Sequence, residues 1–225
     1  MVLLSFLLPT RNRLAMLKES IQSVFDLAQD PANVEILVGL DNDDPSLGET
    51  IDYLQSHPHA DKLKHAVYER YGYKKLHLYV NDLCSHAKGR YFLLWNDDAK
   101  MVSTHYDTLF KDLFETQDKL YVYQPRNNHY ENIFPAIPRE WYDLTGHFSM
   151  NAHNDSWVNE LANTLQVNRK CEIVAWHLRG VDPKNNIYCE VDADIKVSCP
   201  EYQSAENCEI RRKDIALLRE RLYPA

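Results

Sequence analysis

The chain has 225 residues, 44% of them hydrophobic and 11% aromatic, a size that suits one domain around a single sizeable core. Its formal charge of −8 repels nucleic-acid phosphates, and no stretch is apolar over the roughly 20 residues that a membrane-spanning helix needs, so nucleic-acid binding and an integral membrane segment are both disfavoured. Five cysteines (Cys84, Cys171, Cys189, Cys199 and Cys208) are odd in number and contain no CxxC pair, which argues against a zinc site or a full disulfide framework. A soluble cytoplasmic protein is the simpler expectation, with one local bridge among Cys189, Cys199 and Cys208 left open.

Val2–Leu8 lacks the basic leader and small-residue cleavage site of a signal peptide, and is read as a first strand that turns at Pro9-Thr10. Leu14, Leu17, Ile21, Val24 and Phe25 then recur at helical spacing. Pro31 ends that helix, and Val34–Leu40 forms a second strand running into the acidic turn Asp41-Asn42-Asp43-Asp44-Pro45. A helix over Thr50–Gln55, a short strand near Lys64–Tyr68 and a helix within Tyr71–His86 follow. Gly89 stops that helix, and strand Tyr91–Trp95 runs into Asn96-Asp97-Asp98. This alternation predicts an α/β fold with a mainly parallel central sheet flanked by helices. After Met101 the pattern loosens. Helices are expected over Tyr106–Phe114, Pro138–Leu144, Asp155–Gln166 and Ile210–Leu222, strands over Leu120–Gln124 and Ile173–His177, an extended piece over Asn132–Ile137, and loop over Asp182–Pro200. No repeat or linker divides the chain, so residues 1–225 are read as one domain.

The chemistry concentrates in two acidic clusters, Asp41–Asp44 and Asp97-Asp98, each at the C-terminal end of a strand. In a parallel sheet all such ends point the same way, so the clusters converge on one crevice, where ligands and hard divalent cations are held. Like charges brought together are costly unless a cation or donor groups compensate them. A turn and a helix cap would equally explain Asp43-Asp44-Pro45.

Three stretches in order carry a family resemblance. LLSFLLPTRNR resembles the opening strand and turn of GT-A-type glycosyltransferases, most of all the family 2 group. VEILVGLDNDDPS resembles their second strand and acidic turn. NDLCSHAKGRYFLLWNDDAKM resembles the stretch in which an Asn (here Asn81) precedes an Ala-Lys-Gly turn, a strand and an Asp-x-Asp motif. The resemblance implies a single-domain GT-A (Rossmann-like) fold: residues 1–101 would bind the nucleotide-sugar donor, and residues 102–225 would form a small acceptor-side subregion with a C-terminal loop and helix. Thr10, Arg11 and Arg13 would lie beside the base and phosphates, Asp41 would accept from the base N–H, which favours a UDP-sugar, and Asp43 and Lys74 or Lys75 would approach ribose and diphosphate. The motif departs from the family at Asn96, an amide where the first acid is usual, able to bond a sugar hydroxyl but not to charge-pair a metal. Asp98 is then the expected ligand for Mn2+ or Mg2+, with Asp97 facing ribose or solvent and His177 a second ligand.

FPAIPREWYDLTGHFSMNAHNDSWVNELA resembles the acceptor-side stretch of these enzymes, which makes Asp155 the expected general base of an inverting transfer to a glycan or other hydroxyl acceptor. A helix-capping role would also suit Asp155. Trp141, His147, Phe148 and Trp157 would wall the acceptor pocket, and Arg179–Pro200 would be a loop closing over the donor. Two other readings stand beside this one. A nucleotidyltransferase shares the sheet and acidic site but needs a glycine-rich phosphate loop, and PTRNR has no glycine. A non-catalytic nucleotide-sugar-binding module would keep the fold without turnover.

Overall fold

A computed structural model describes residues 2–115, 120–128, 132–178, 181–182, 187–188 and 200–224. In chain order the main elements are β1 (Leu4–Pro9), α1 (Leu14–Leu27), β2 (Val34–Asp41), α2 (Leu47–Ser56), β3 (Leu63–Tyr68), α3 (Leu76–His86), β4 (Tyr91–Leu94) and β5 (Ala99–Met101). They continue with α4 (Tyr106–Glu115), β6 (Val122–Arg126), β7 (Ala136–Pro138), α5 (Arg139–Thr145), α6 (Asn154–Thr164), β8 (Asn168–His177), the short pair β9 (Val181–Asp182) and β10 (Ile187–Tyr188), and α7 (Ala205–Leu222).

Eight strands form one sheet in the order β3-β2-β1-β4-β7-β6-β8-β5. The first four are parallel neighbours. Strand β7 then runs antiparallel to both β4 and β6, β6 and β8 are parallel, and β5 closes the edge antiparallel to β8. The expected parallel sheet is therefore confined to β1–β4, and the sheet becomes mixed beyond β4. Strands β1 and β2 are buried on both faces and mostly apolar because helices cover them, Ser5, Glu35 and Asp41 being the polar exceptions. On one face Leu4, Phe6 and Leu8 pack with Leu17, Ile21 and Val24 of α1. On the other, Leu7 and Leu37 pack with Val80 and Leu83 of α3. After β1 the chain builds outward to β2 and β3, then crosses to β4 on the other side, so a crevice opens beyond the C-terminal ends of β1 and β4.

The N-terminal ends of the same strands are locked by the buried Glu35, whose carboxylate accepts from Ser5 Oγ at 2.7 Å, from Lys64 Nζ at 2.6 Å and from the Lys88 N–H. Burial pushes the Glu35 carboxyl up, but these three donors outweigh it and hold the group below the usual carboxylate range. Gly89 lies in the same corner. A Cβ there would stand 2.5 Å from Ser5 Oγ and 2.6 Å from Ser5 N, so the Ala-Lys-Gly turn needs glycine to let β4 come down beside β1.

Several boundaries differ from expectation. The helix expected within Tyr71–His86 begins only at Leu76, because Gly72 takes a left-handed φ of 72° and Tyr73–Lys75 form a 3-10 turn. Strand β8 is longer than Ile173–His177, since its first half, Asn168–Glu172, is mostly polar and exposed and lacks an apolar run. Strand β5 is an addition, formed where the acidic turn pairs back against β8. Cys84, Cys171 and Cys208 are free thiols, whereas Cys189, Cys199 and most of the loop expected to close over the donor lie outside the described residues. No described helix is long and apolar enough to cross a membrane.

Candidate active site

The crevice at the strand switch is a cleft of about 880 Å³. Its floor is built by two strand ends. Thr10, leaving β1, donates its hydroxyl to Asp97 Oδ2 at 2.7 Å, and Arg13 Nη1 reaches Asp97 Oδ1 at 3.0 Å and Asp98 Oδ2 at 3.9 Å. Of the two expectations for Asp97, ribose or solvent, the solvent-facing one does not hold. The residue is 5% exposed, and it fastens the β1 turn to the β4 turn. Burial pushes its carboxyl up to about 6, opposed by Arg13 and assisted by Asp98.

Asp98 turns to the other wall, where its Oδ1 lies 3.0 Å from His177 Nε2. The contact follows from register: Ala99 pairs with His177 across β5 and β8, and Leu178 N donates to the Asp98 carbonyl at 2.9 Å. Asn128 holds the backbone of His177 from both sides, accepting from its N–H at 2.8 Å and donating to its carbonyl at 3.0 Å. Asn96 Nδ2 lies 3.3 Å from the same imidazole nitrogen. A buried carboxylate with an adjacent imidazole is a donor set that could hold Mn2+ or Mg2+. Among the described residues no cluster of three or more His, Cys, Asp or Glu side chains is arranged for a metal, so a cation on Asp98 and His177 would need further oxygen ligands from phosphate or water.

A second group of contacts in the cleft is organised around Asp41. Its Oδ2 accepts from Arg11 at 3.2 Å, and its Oδ1 accepts from the Tyr79 hydroxyl of α3. The Tyr79 oxygen in turn accepts from the Tyr71 N–H at 2.8 Å and the Gly72 N–H at 3.4 Å, tying the loop after β3 to Asp41. Arg70, Gly72 and Tyr73 of that loop line the cleft. Arg11 also pairs with the exposed Asp43.

Across the cleft, His153, Asn154 and Asp155 begin α6. His153 occupies the cap position, so Asp155 is not the capping residue but stands in the first helical turn, among the residues that line the cleft. Asn154 is 2% exposed, and its Oδ1 has no hydrogen-bond partner.

The cleft thus brings together Thr10, Arg11, Arg13, Asp41, Asn96, Asp97, Asp98, Asp155 and His177. The remaining expected residues fall elsewhere: Asp43, exposed and paired with Arg11, does not line the cleft. Lys75 is exposed on the 3-10 turn and does not line the cleft. Trp141 and Trp157 are core residues at 2% and 0% exposure, as helix-spaced tryptophans usually are: Trp141 donates to the Leu120 carbonyl at 3.2 Å, and Trp157 lies beneath the Arg211 guanidinium. His147 pairs with Asp214 of α7 at 2.9 Å. None of these three forms an acceptor wall, and Phe148 is buried with them. Arg70, Tyr73, Tyr79, His153 and Asn154 went unnoticed in the sequence. The strand-end rule that selected Asp41 and Asp97 would also have selected Arg70 after β3, but no spacing marks Tyr79.

A family model for "Glycosyl transferase family 2" matches residues 5–170. Among solved structures, the mannosyltransferase PcManGT from Pyrobaculum calidifontis, in complex with GDP-Man and Mn2+, superimposes with a TM-score of 0.63 at 15% identity, covering 81% of this chain and 58% of that one. TarS 1-349 from S. aureus matches at a TM-score of 0.58 and 14% identity, covering 78% of this chain and 60% of that one. Its complex with UDP-GlcNAc matches at 0.59 and 13%, covering 100% and 68%. The chain therefore spans roughly three-fifths of the length of these structures. No curated protein sequence matches it. The family match runs unbroken from β1 into β8 and takes in both acidic strand ends and Asp155, and the fold is that of the GT-A glycosyltransferases: the chain belongs to glycosyltransferase family 2.

Proposed function

We propose that the protein is a metal-dependent, inverting glycosyltransferase that moves a sugar from a nucleotide-diphosphate sugar, with UDP favoured, to an acceptor hydroxyl. The observation that carries this reading is the placement of Asp155 on the same cleft as the Thr10–Asp97–Arg13 and Asp98–His177 contacts. One wall offers a donor site and the other a base.

Asp41 and Tyr79 would receive the base, and Arg11, Arg13 and Arg70, which line the same cleft, would supply positive charge for the diphosphate. Asp98 and His177 would hold the divalent cation, which when bound offsets charge on the departing nucleoside diphosphate. Asp155 takes the proton from the acceptor hydroxyl as its oxygen forms the new bond to the anomeric carbon. The bond from that carbon to the diphosphate oxygen breaks, and its electron pair leaves with the diphosphate. Attack from the face opposite the leaving group inverts the anomeric configuration. The similar structures were solved with GDP-Man and Mn2+ or with UDP-GlcNAc, which supports a nucleotide-sugar donor and a divalent ion.

The test is calorimetric titration of UDP and GDP with and without Mn2+, followed by hydrolysis of a panel of nucleotide sugars. Metal-enhanced nucleotide binding and donor hydrolysis that is lost in Asp155→Asn are expected. Equal hydrolysis by wild type and Asp155→Asn removes the base assignment, and an absence of metal-enhanced nucleotide affinity removes the donor site.

A further inference from the structure

Asn81 belongs to the stretch that carries the family resemblance, yet it does not line the cleft. It projects from α3, and its amide grips a loop 67 and 68 residues later in the chain: Nδ2 donates to the Ser149 carbonyl at 2.7 Å, while Oδ1 accepts from the Phe148 N–H at 2.8 Å and the Ser149 N–H at 3.2 Å. Both ends of one side chain are spent on two consecutive residues, which fixes that backbone in orientation as well as in distance.

From the gripped residues a short relay runs to the cleft. Ser149 Oγ donates to the Asn151 carbonyl at 2.7 Å and accepts from the Asn151 N–H at 3.1 Å, and Asn151 Oδ1 accepts from the His153 N–H at 3.1 Å. The next residues are His153, Asn154 and Asp155, all at the cleft. At its other side α3 is itself a donor-site element. Leu76 lines the cleft, and Tyr79 holds Asp41. Val80, Leu83 and Cys84 are buried against the sheet, so the helix is a fixed reference.

We infer that Asn81 is a positioning residue that sets the base-bearing N-terminus of α6 against the donor end of the cleft. The inference rests on the proposed function and adds a separate claim. The donor site is complete without Asn81, whereas the reach of Asp155 to the attacking oxygen is not. A displacement of about 1 Å in such a group costs on the order of a hundredfold in rate. Loss of the grip therefore moves turnover without moving nucleotide affinity.

Asn81→Ala removes all three bonds. Asn81→Asp keeps the two acceptor bonds and places an oxygen opposite the Ser149 carbonyl. The measurements are Mn2+-dependent UDP affinity, KM and kcat for hydrolysis of UDP-GlcNAc and GDP-Man, thermal midpoint, and amide exchange at Phe148 and Ser149. For Asn81→Ala the expectation is UDP affinity and KM within about twofold of wild type, kcat down by about ten- to a hundredfold, and faster exchange at both amides, with Asn81→Asp intermediate. Unchanged kcat in Asn81→Ala overturns the inference while leaving the donor-site reading intact. A parallel fall in affinity, kcat and thermal midpoint also overturns it, since that is the signature of a structural residue. A wild-type chain that shows neither metal-enhanced UDP binding nor donor hydrolysis overturns the proposed function, and this inference with it.

Discussion

Glu35→Gln separates what the scaffold needs from what the site needs. The wild-type carboxylate joins β1, β2, β3 and the turn before β4 through Ser5, Lys64 and the Lys88 N–H, all at the sheet edge opposite the cleft. Charge-assisted hydrogen bonds are worth roughly 1.5–3 kcal/mol each. Glutamine keeps an acceptor but loses the charge, and the Lys64 ammonium is one-third exposed, which weakens its share. The net loss works out at about 2–3 kcal/mol, or about 5–10 °C in thermal midpoint for a chain of this size. The pH dependence carries the sharper signature. Because the folded Glu35 pKa is lowered from 4.5, its contribution is fully present above that value and disappears as pH falls through the folded pKa. Wild type should therefore lose stability more steeply than Glu35→Gln below pH 4.5, and the two curves should run parallel above it. Urea denaturation between pH 3 and 7 reads this directly. Parallel curves over the whole range refute the reasoning, as does a loss of UDP affinity at 25 °C in the folded variant.

Gly89→Ala pushes a methyl into Ser5 and should cost about 1–3 kcal/mol in urea denaturation, again with nucleotide affinity unchanged in the folded fraction. Asp98→Asn leaves His177 beside an amide in place of a carboxylate and should abolish the Mn2+ enhancement of UDP binding while leaving metal-free UDP affinity within about threefold, measured by calorimetry. Asn96→Asp restores the acid that is usual in the family. It should tighten Mn2+ binding about tenfold and lower the thermal midpoint in EDTA, because a further carboxylate joins Asp97 and Asp98 without a new counter-charge. Melting curves with and without EDTA would refute this by moving in the same direction.

The half of the chain up to β4 was legible in the sequence because its physics is local. A parallel strand buried on both faces is a mostly apolar run, and the rule that ligands gather at strand C-termini brings Thr10, Asp41 and Asp97 to one cleft with no knowledge of distant contacts. The half beyond β4 was not. Trp141 and Trp157 have the composition of a sugar platform, but their burial depends on α7, whose Arg211 and Asp214 cover Trp157 and His147 from residues far along the chain. Strand β5 escaped notice for the same reason: Ala99–Met101 is too short to carry a pattern and exists only because β8 comes alongside it. Nothing in the sequence marks Tyr79, because its hydrogen bond to Asp41 appears only once β2 and α3 are side by side.

The charge arrangement of the cleft gives the strongest physical reason to read it as a site rather than a seam. Asp41, Asp97, Asp98 and Asp155 line it, and Arg11, Arg13 and Arg70 answer three of those carboxylates in number, with His177 beside Asp98. A fold gains little by gathering so many ionisable groups, because desolvating them costs about as much as their pairing returns, and Asp97 shows that cost in a carboxyl pushed up to about 6. The arrangement makes sense when a ligand completes it. A nucleoside diphosphate offers negative oxygens to the arginines and a divalent cation offers positive charge to Asp98, so the two together satisfy both sets at once while either alone unbalances the cleft. Metal and nucleotide should therefore bind cooperatively, each raising the affinity of the other by the same factor. That reciprocity distinguishes a donor site from a pair of independent ion-binding spots.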